Sequence, residues 1–368
     1  MTHSEERHQE IGDAFDRPTD PLAKYDDKFK AIEADPYQLW LDDVVYSQGY
    51  ADDTIGTIER RVAQWCNYIW AESDRHPAVP AISHVISFAK HYLNEHNNQR
   101  GTVSAKLATL DQAYDYFQTE PAFPHPKDFD PFKAAKKRMD LSGEDPKDYR
   151  PIPLGELREF IDVEVKHIRD RAVILIQLKL GLRASEVTNI KLSEIHITSS
   201  ELQDHYNKLG THPQLNGRPN AVYIPHDRDR NKSKRPRVLP LDDELRRVLL
   251  QYLLCRPDTG SPWFFLSKSG GKKMDHTNIN DVWKKYFRPE YGPTEEYRGV
   301  SSHYGRHRFT TWFRIDKKWQ RDRLKYLRGD IQSDGELKPT QEAIDAYIHA
   351  RYEKIEDEFR RDIYKFRI

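Results

Sequence analysis

The chain has 368 residues, room for two domains, and its 59 Lys+Arg match its 59 Asp+Glu, so the net charge is zero. That balance does not announce a nucleic-acid binder, yet charge is segregated: residues 1–35 hold ten acids and five Lys/Arg, which leaves the remainder net positive by five. Two distant cysteines, Cys66 and Cys255, exclude a disulfide framework and a cysteine zinc site, and the content of seven Trp, twenty Tyr and fifteen Phe excludes disorder for most of the chain.

Residues 1–30 are polar and read as a tail without chemistry, flexible or at most locally helical. The start, M-T-H-S-E-E-R-H, has no signal-peptide apolar core. The longest apolar stretch, Ala172 to Leu182, is interrupted by Gln177 and Lys179, so no membrane span is expected. A reducing cytoplasm is the expected location. Helical periodicity begins near Tyr37. Ile55, Ile58, Val62, Cys66 and Ile69 follow the 3.6-residue period, with Asp53 or Thr54 as the cap. Val103, Leu107, Leu110, Tyr114 and Phe117 repeat it after Gly101-Thr102. An all-α module over 31–137 is predicted.

Seven prolines between 121 and 153 make helices hard to sustain there, and the linker is set at 138–152. A second domain, 153–368, opens on an amphipathic helix marked by Leu154, Leu157, Phe160 and Ile161. The nearly all-apolar segment Ala172 to Leu180 should be a buried helix. Two strand-like runs follow, A-V-Y-I-P-H (221–226) and P-R-V-L-P-L (236–241), joined by the basic turn D-R-D-R-N-K-S-K-R. Helices then resume. The predicted fold class is mainly α with a small antiparallel β-sheet: an all-α domain followed by an α+β domain. S-G-G-K (269–272) lacks phosphate-loop spacing, and sixteen histidines supply no H-E-x-x-H set. No metal or other cofactor is expected.

Chemistry concentrates in two strings. L-K-L-G-L-R-A-S-E-V-T-N-I holds Arg183 just after Gly181, with Glu186 one turn further on. S-S-H-Y-G-R-H-R-F-T-T-W-F holds His303 and Arg306, which share one helix face at a three-residue offset. A guanidinium fork matches two phosphate oxygens at once. Glu186 either holds the Arg183 guanidinium or is an ordinary exposed i,i+3 partner. Tyrosines follow at 326, 347, 352 and 364.

These strings resemble the two arginine boxes of the tyrosine recombinase (phage integrase) family. Y-A-D-D-T-I-G-T-I-E-R-R and T-V-S-A-K-L-A-T-L-D-Q-A-Y-D-Y-F are similar to helices of its core-binding domain. The resemblance implies that Arg183 and Arg306 grip the scissile phosphate and that His303 donates to it and assists proton transfer. Registering V-L-P-L on the family's strand makes Lys232 the donor to the leaving 5′ oxygen. The neighbouring Arg228, Arg230, Lys234, Arg235 and Arg237 would bind DNA. A-I-D-A-Y-I-H is similar to the nucleophile segment and selects Tyr347. Tyr352 belongs to an apolar stripe with Ile355, Phe359, Ile363 and Phe366, which packs either on its own domain or on a neighbouring subunit. His307 is expected to be structural.

Two features depart from the family pattern, a longer segment between Gly329 and Tyr347 and one string. Y-L-R-G-D puts Asp330 where the family has His or Trp. An ionised carboxylate cannot donate to phosphate, so Asp330 either orients Arg306 or His303 or points away, and Arg328 or Lys325 could supply the donor. Y-L-R-G-D with Y-I-H is similar to an archaeal, haloarchaeal-type branch. The function implied is a site-specific recombinase that cleaves DNA through a 3′-phosphotyrosyl link, clamps duplex DNA between its domains and forms a tetramer on paired sites. Two alternatives stay open: a type IB topoisomerase, which shares the residue set, and a catalytically silent DNA-binding relative.

Overall fold

The computed structural model describes residues 3–142, 147–268, 270–330 and 341–368, with side chains left aside at 3–6 and 341–351. The chain divides into two units, Met1–Pro146 and Lys147–Ile368. Both are built mainly from helices, and the second carries the small antiparallel sheet. No described helix is long and apolar enough to cross a membrane.

The first unit is all-α: α1 (His3–Ala14), α2 (Asp26–Ala31), α3 (Pro36–Trp40), α4 (Asp52–Glu72), α5 (Ile82–Asn94), α6 (Arg100–Thr119) and α7 (Pro131–Arg138). Two of these starts share one device. Pro36 and Pro131 open their helices, and the side chains of Asp35 and Asp130 accept the next backbone N–H groups. Proline at a first turn costs nothing, which is why α7 survives inside a proline-rich stretch. Helix α4 starts after Ala51, ahead of the cap expected at Asp53 or Thr54. The core gathers Trp65, Phe88, Phe117 and Phe132. Trp65 and Phe88 meet edge-on at 5.1 Å, and the Trp65 indole N–H donates to the Pro77 carbonyl at 3.1 Å. Leu22 and Phe29 are buried in the same core, so the segment read as a flexible tail is anchored by its second half.

The second unit contains α8 (Leu154–Glu164), α9 (Ile168–Leu180), α10 (Ala184–Thr188), α11 (Ser200–His205), α12 (Asp243–Cys255), α13 (His276–Phe287), α14 (Ser302–Thr311), α15 (Arg321–Arg328) and α16 (Gln341–Asp362). Its strands are β1 (Asp148–Tyr149), β2 (Ile195–His196), β3 (Ala221–Ile224), β4 (Arg237–Pro240) and β5 (Tyr297–Arg298). β2, β3 and β4 form the antiparallel sheet, with Ala221 opposite Pro240 and Ile224 opposite Arg237. β1 and β5 make a two-residue parallel pair.

Helix α9 is the axis of this unit, buried from Ala172 to Leu180. Its polar residues are matched inside. Gln177 accepts from the Trp283 indole at 2.6 Å and donates to the Leu182 carbonyl at 3.1 Å. Lys179 is held by Asp242 at 2.7 Å, Glu244 at 2.5 Å and the Tyr364 carbonyl at 3.0 Å. Helix α14 crosses α9 at Gly305, where an added Cβ would come within 3.2 Å of Gln177 and Trp283. That close crossing sets the second arginine box against the end of α9.

Candidate active site

Helix α9 ends at Gly181, whose φ of 64° is left-handed. A side chain there would also strike Phe309 of α14, with a Cβ 2.5 Å from the ring. The turn therefore needs glycine twice over, for backbone hand and for contact. It aims two groups at one place. The Gly181 carbonyl accepts from Arg306 Nη1 at 2.8 Å, and Arg183 follows as the residue capping α10.

Glu186 lies beneath both arginines and is almost fully buried. Its Oε2 accepts the Arg183 backbone N–H at 2.7 Å. Its Oε1 pairs with Arg237 Nη2 at 3.1 Å and lies 3.6 Å from Arg183 Nη1, while Arg306 Nη1 is 4.0 Å from Oε2. Burial alone would raise its pKa, but the Arg237 and Arg306 charges outweigh burial and hold it below the usual carboxylate range. Glu186 is therefore not an exposed i,i+3 partner: it is buried, and it bonds the Arg183 backbone rather than its guanidinium.

Arg306 is 3 % exposed. Its Nη2 donates to the Arg328 carbonyl at 3.1 Å and to Asp330 Oδ1 at 3.1 Å. Burial first, then the neighbouring Arg183, pushes its pKa down to about 9. The guanidinium still carries its charge at neutral pH. Arg183 is more open, and its Nη2 meets the same Asp330 Oδ1 at 3.3 Å. Asp330 thus bridges the two arginines, and its Oδ2 lies 2.7 Å from Arg328 Nε.

His303 stands on the outer face of α14 and is exposed. The packed ground around it, then the charges of Arg306, Arg183, Arg328 and Arg298, lower its pKa. At neutral pH it is an uncharged imidazole, able to donate from one nitrogen and accept at the other. His307, one turn on, stacks on Tyr149 of β1 at 3.8 Å, which is a packing role.

The β3–β4 loop is tied down at both ends. Asn189, capping α10, donates to the Asp229 carbonyl and to Asn231 Oδ1, each at 2.9 Å. The Lys234 backbone N–H donates to the Gly329 carbonyl at 2.9 Å, next to Asp330. Lys232 lies between these ties, exposed, with no partner among the described residues. Lys234 and Arg230 are exposed, Arg230 leaning on Asp275 and His276, and Arg235 is half-buried.

Two of the basic residues expected to face DNA do not. Arg237 is fully buried, donating from Nε to the Leu327 carbonyl at 2.8 Å and from Nη2 to Glu186. It sits where the sheet meets the arginine site and cannot reach a DNA phosphate. Arg228 is committed to Glu194 through both of its terminal nitrogens and to the Asn189 carbonyl. A basic run looks the same whether its members point out or in, and Arg237 opens a strand whose four residues are all buried.

Tyr347 falls within α16, but its side chain lies outside the described residues. The other tyrosines are withdrawn. Tyr352 is 1 % exposed and burial raises its pKa, Tyr326 donates to the Val238 carbonyl at 3.0 Å, and Tyr364 is buried and donates to the Leu178 carbonyl at 2.5 Å. Asn189 was not singled out in the sequence, where it carries no signal. Arg328 was named there with Lys325 as a candidate donor beside Asp330, and it is Arg328 that lies against the Asp330 carboxylate.

Residues 154–320 match the model of the phage integrase family. A 164-residue stretch is 31 % identical to the Sinorhizobium fredii protein named "Putative integrase/recombinase y4rF", covering 43 % of this chain and 32 % of that one. The match therefore spans about a third of the relative's length. The fold is similar to that of the Tn1549 transposon integrase in complex with a circular intermediate DNA: TM-score 0.58 and 15 % identity, over 86 % of this chain and 98 % of that one. It is also similar to a lambda integrase tetramer bound to a Holliday junction: TM-score 0.58 and 12 % identity, over 83 % of this chain and 80 % of that one.

Proposed function

We propose that this protein is a site-specific DNA recombinase that breaks and rejoins a phosphodiester through a 3′-phosphotyrosyl intermediate. One observation carries the reading: Arg183 and Arg306 converge on a single anionic oxygen, with the buried Glu186 carboxylate 3.6 and 4.0 Å from their guanidinium groups. Phosphoryl transfer asks for this arrangement, positive forks fixed before the substrate arrives. The integrase family match over 154–320 and the integrase fold support the same reading.

In this mechanism Arg183 and Arg306 take the non-bridging oxygens of the scissile phosphate. The Tyr347 hydroxyl attacks phosphorus, and the bond to the 5′ oxygen breaks. A phenol with a pKa near about 10 must lose its proton to act at neutral pH. The neutral His303 takes it or donates to the phosphate. Lys232 gives a proton to the departing 5′ oxygen. One phosphodiester is exchanged for another, so no nucleotide hydrolysis is required, and a 5′ hydroxyl from a partner strand reverses the step. The all-α unit acts as a core-binding domain, and Arg230, Lys234 and Arg235 meet DNA phosphates, which position the duplex rather than read it. The active assembly is a tetramer on paired sites. The archaeal affinity rests on Y-L-R-G-D and Y-I-H alone.

The test is a duplex nicked next to the cleavage site, which traps the covalent adduct. The wild-type chain should form it, and a peptide map should place the link on Tyr347. Tyr347→Phe should lose the adduct and keep DNA binding. An adduct on the Phe variant would assign the nucleophile elsewhere. No adduct from the wild type would leave a DNA-binding protein without this chemistry. Relaxation of plasmid supercoils without exchange between two sites would mark a topoisomerase.

A further inference from the structure

Three guanidinium groups meet on one carboxylate in the second unit. Arg183 and Arg306 share Asp330 Oδ1 at 3.3 and 3.1 Å, and Arg328 Nε lies 2.7 Å from Oδ2. The two acids at this site differ in kind. Glu186 is wholly enclosed and bonded to backbone and Arg237, so it belongs to the frame. The Asp330 side chain is 29 % exposed, at the mouth of the cluster, and solvent reaches it. The charge count also favours a second anion. Arg183, Arg237, Arg306 and Arg328 give four positive charges against two carboxylates, Glu186 and Asp330. Removing Asp330 from the cluster would leave three unmatched arginines at its open side.

The donors are not used up by the carboxylate. Arg183 Nη1 is buried without a hydrogen-bond partner among the described residues. Arg328 Nε approaches Oδ2 without the alignment of a hydrogen bond. A carboxylate offers two oxygens in one plane. A tetrahedral phosphate offers more, in more directions, and arginine forks suit both anions. Arg328 is in turn braced by Thr310, which accepts from its Nη1 at 3.2 Å.

We propose that Asp330 is a placeholder for the phosphate, occupying its position in the free protein and giving way when DNA binds, and that Arg328 is a third arginine gripping that phosphate. This rests on the recombinase reading above. It supplies the donor that the sequence lacks at position 330. The carboxylate holds the arginines in convergence without substrate and keeps stray anions out of the site.

The experiment titrates the full-length chain with inorganic phosphate, followed by calorimetry and by the shift in melting temperature. Asp330→Asn keeps the shape and removes the charge, so it should bind phosphate at least about tenfold more tightly than the wild type. Adding Arg328→Ala to that variant should return most of the gain, and Arg328→Lys only part of it. A neutral Asp330→Ser provides a second route if the Asn variant does not fold. A merely structural Asp330 would lower the melting temperature with no gain in phosphate affinity, and that result overturns the proposal. So does failure of both variants to fold, because the carboxylate would then be a fixed counter-ion. Adducts on the nicked duplex are scored separately. A phosphate gain without adducts sinks the recombinase reading and keeps the anion site, while adducts without a gain do the reverse.

Discussion

Arg306 and Arg237 both touch Glu186, yet they answer to different forces. Arg306 divides its Nη2 between the Arg328 carbonyl and the partly exposed Asp330, while Arg237 is fully enclosed and bonded to the Leu327 carbonyl and Glu186. Arg306→Lys keeps the charge but lacks the second donor of the fork, so it should cut adduct formation by about a hundredfold at a smaller cost in stability than the loss of Arg237. Arg237→Ala should instead strip a buried carboxylate of its partner, costing roughly 3–5 kcal/mol of stability. Chemical denaturation and adduct yield together separate the two. A selective loss of DNA affinity in Arg237→Ala, with stability intact, would restore it to the surface. Glu186, held below the ordinary carboxylate range, adds stability that is complete above that range and is lost as pH falls through its lowered pKa. Arg183 and Arg306 were picked out because two distant strings together resemble the arginine boxes of one family. Local spacing gives only that His303 and Arg306 share a helix face and that Glu186 lies one turn past Arg183, and says nothing of two strings about 120 residues apart meeting. The burial of Arg237 was not legible, because a run of six Lys/Arg and one acid over 228–237 does not say which of them the strand turns inward.

At the scale of elements, the β3–β4 loop is an arm clamped at Asn189 and Gly329, with Lys232 free between the clamps among the described residues. Such an arm can bring an ammonium to a leaving oxygen, or it can merely touch backbone phosphate. A substrate with sulfur in the 5′ bridging position tells them apart, because a thiolate leaves without a proton. Lys232→Ala should slow cleavage of the ordinary phosphodiester by about 10²-fold and cleavage of the sulfur substrate far less. Equal defects on both would reduce Lys232 to a phosphate contact. The long helices were readable because their apolar period runs over several turns, as in Val103 to Phe117, all five residues of which are buried. The hairpin was readable from its β-branched runs and basic turn. The β1–β5 pair was not, since two-residue strands far apart in sequence leave no periodic trace. The bends that matter most, Gly181 against Phe309 and Gly305 against Gln177, are tertiary contacts that a local pattern announces only as a glycine.

At the scale of the molecule, the end of the chain decides between two designs. The stripe of Tyr352, Ile355, Phe359, Ile363 and Phe366 could cover its own domain or a neighbour's, and here it is buried in its own unit. More than oil holds it there. The Tyr364 carbonyl accepts from the buried Lys179, and the backbone N–H groups of Phe366 and Ile368 donate to Glu244 at 3.0 and 3.1 Å. Losing a large buried side chain costs about 2–5 kcal/mol, and a domain's whole stability is about 5–15 kcal/mol. Deleting residues 353–368 removes several at once and leaves Lys179 short of an acceptor. The truncated chain should therefore lose its cooperative thermal transition and its binding to a single DNA site. Sedimentation of the intact chain should show a monomer in free solution and a tetramer on paired sites, with the segment staying on its own unit. If the truncated chain instead folds, binds one site normally and fails only to bring two together, the segment is a connector between subunits, and the packing seen here is the resting position of an arm that exchanges.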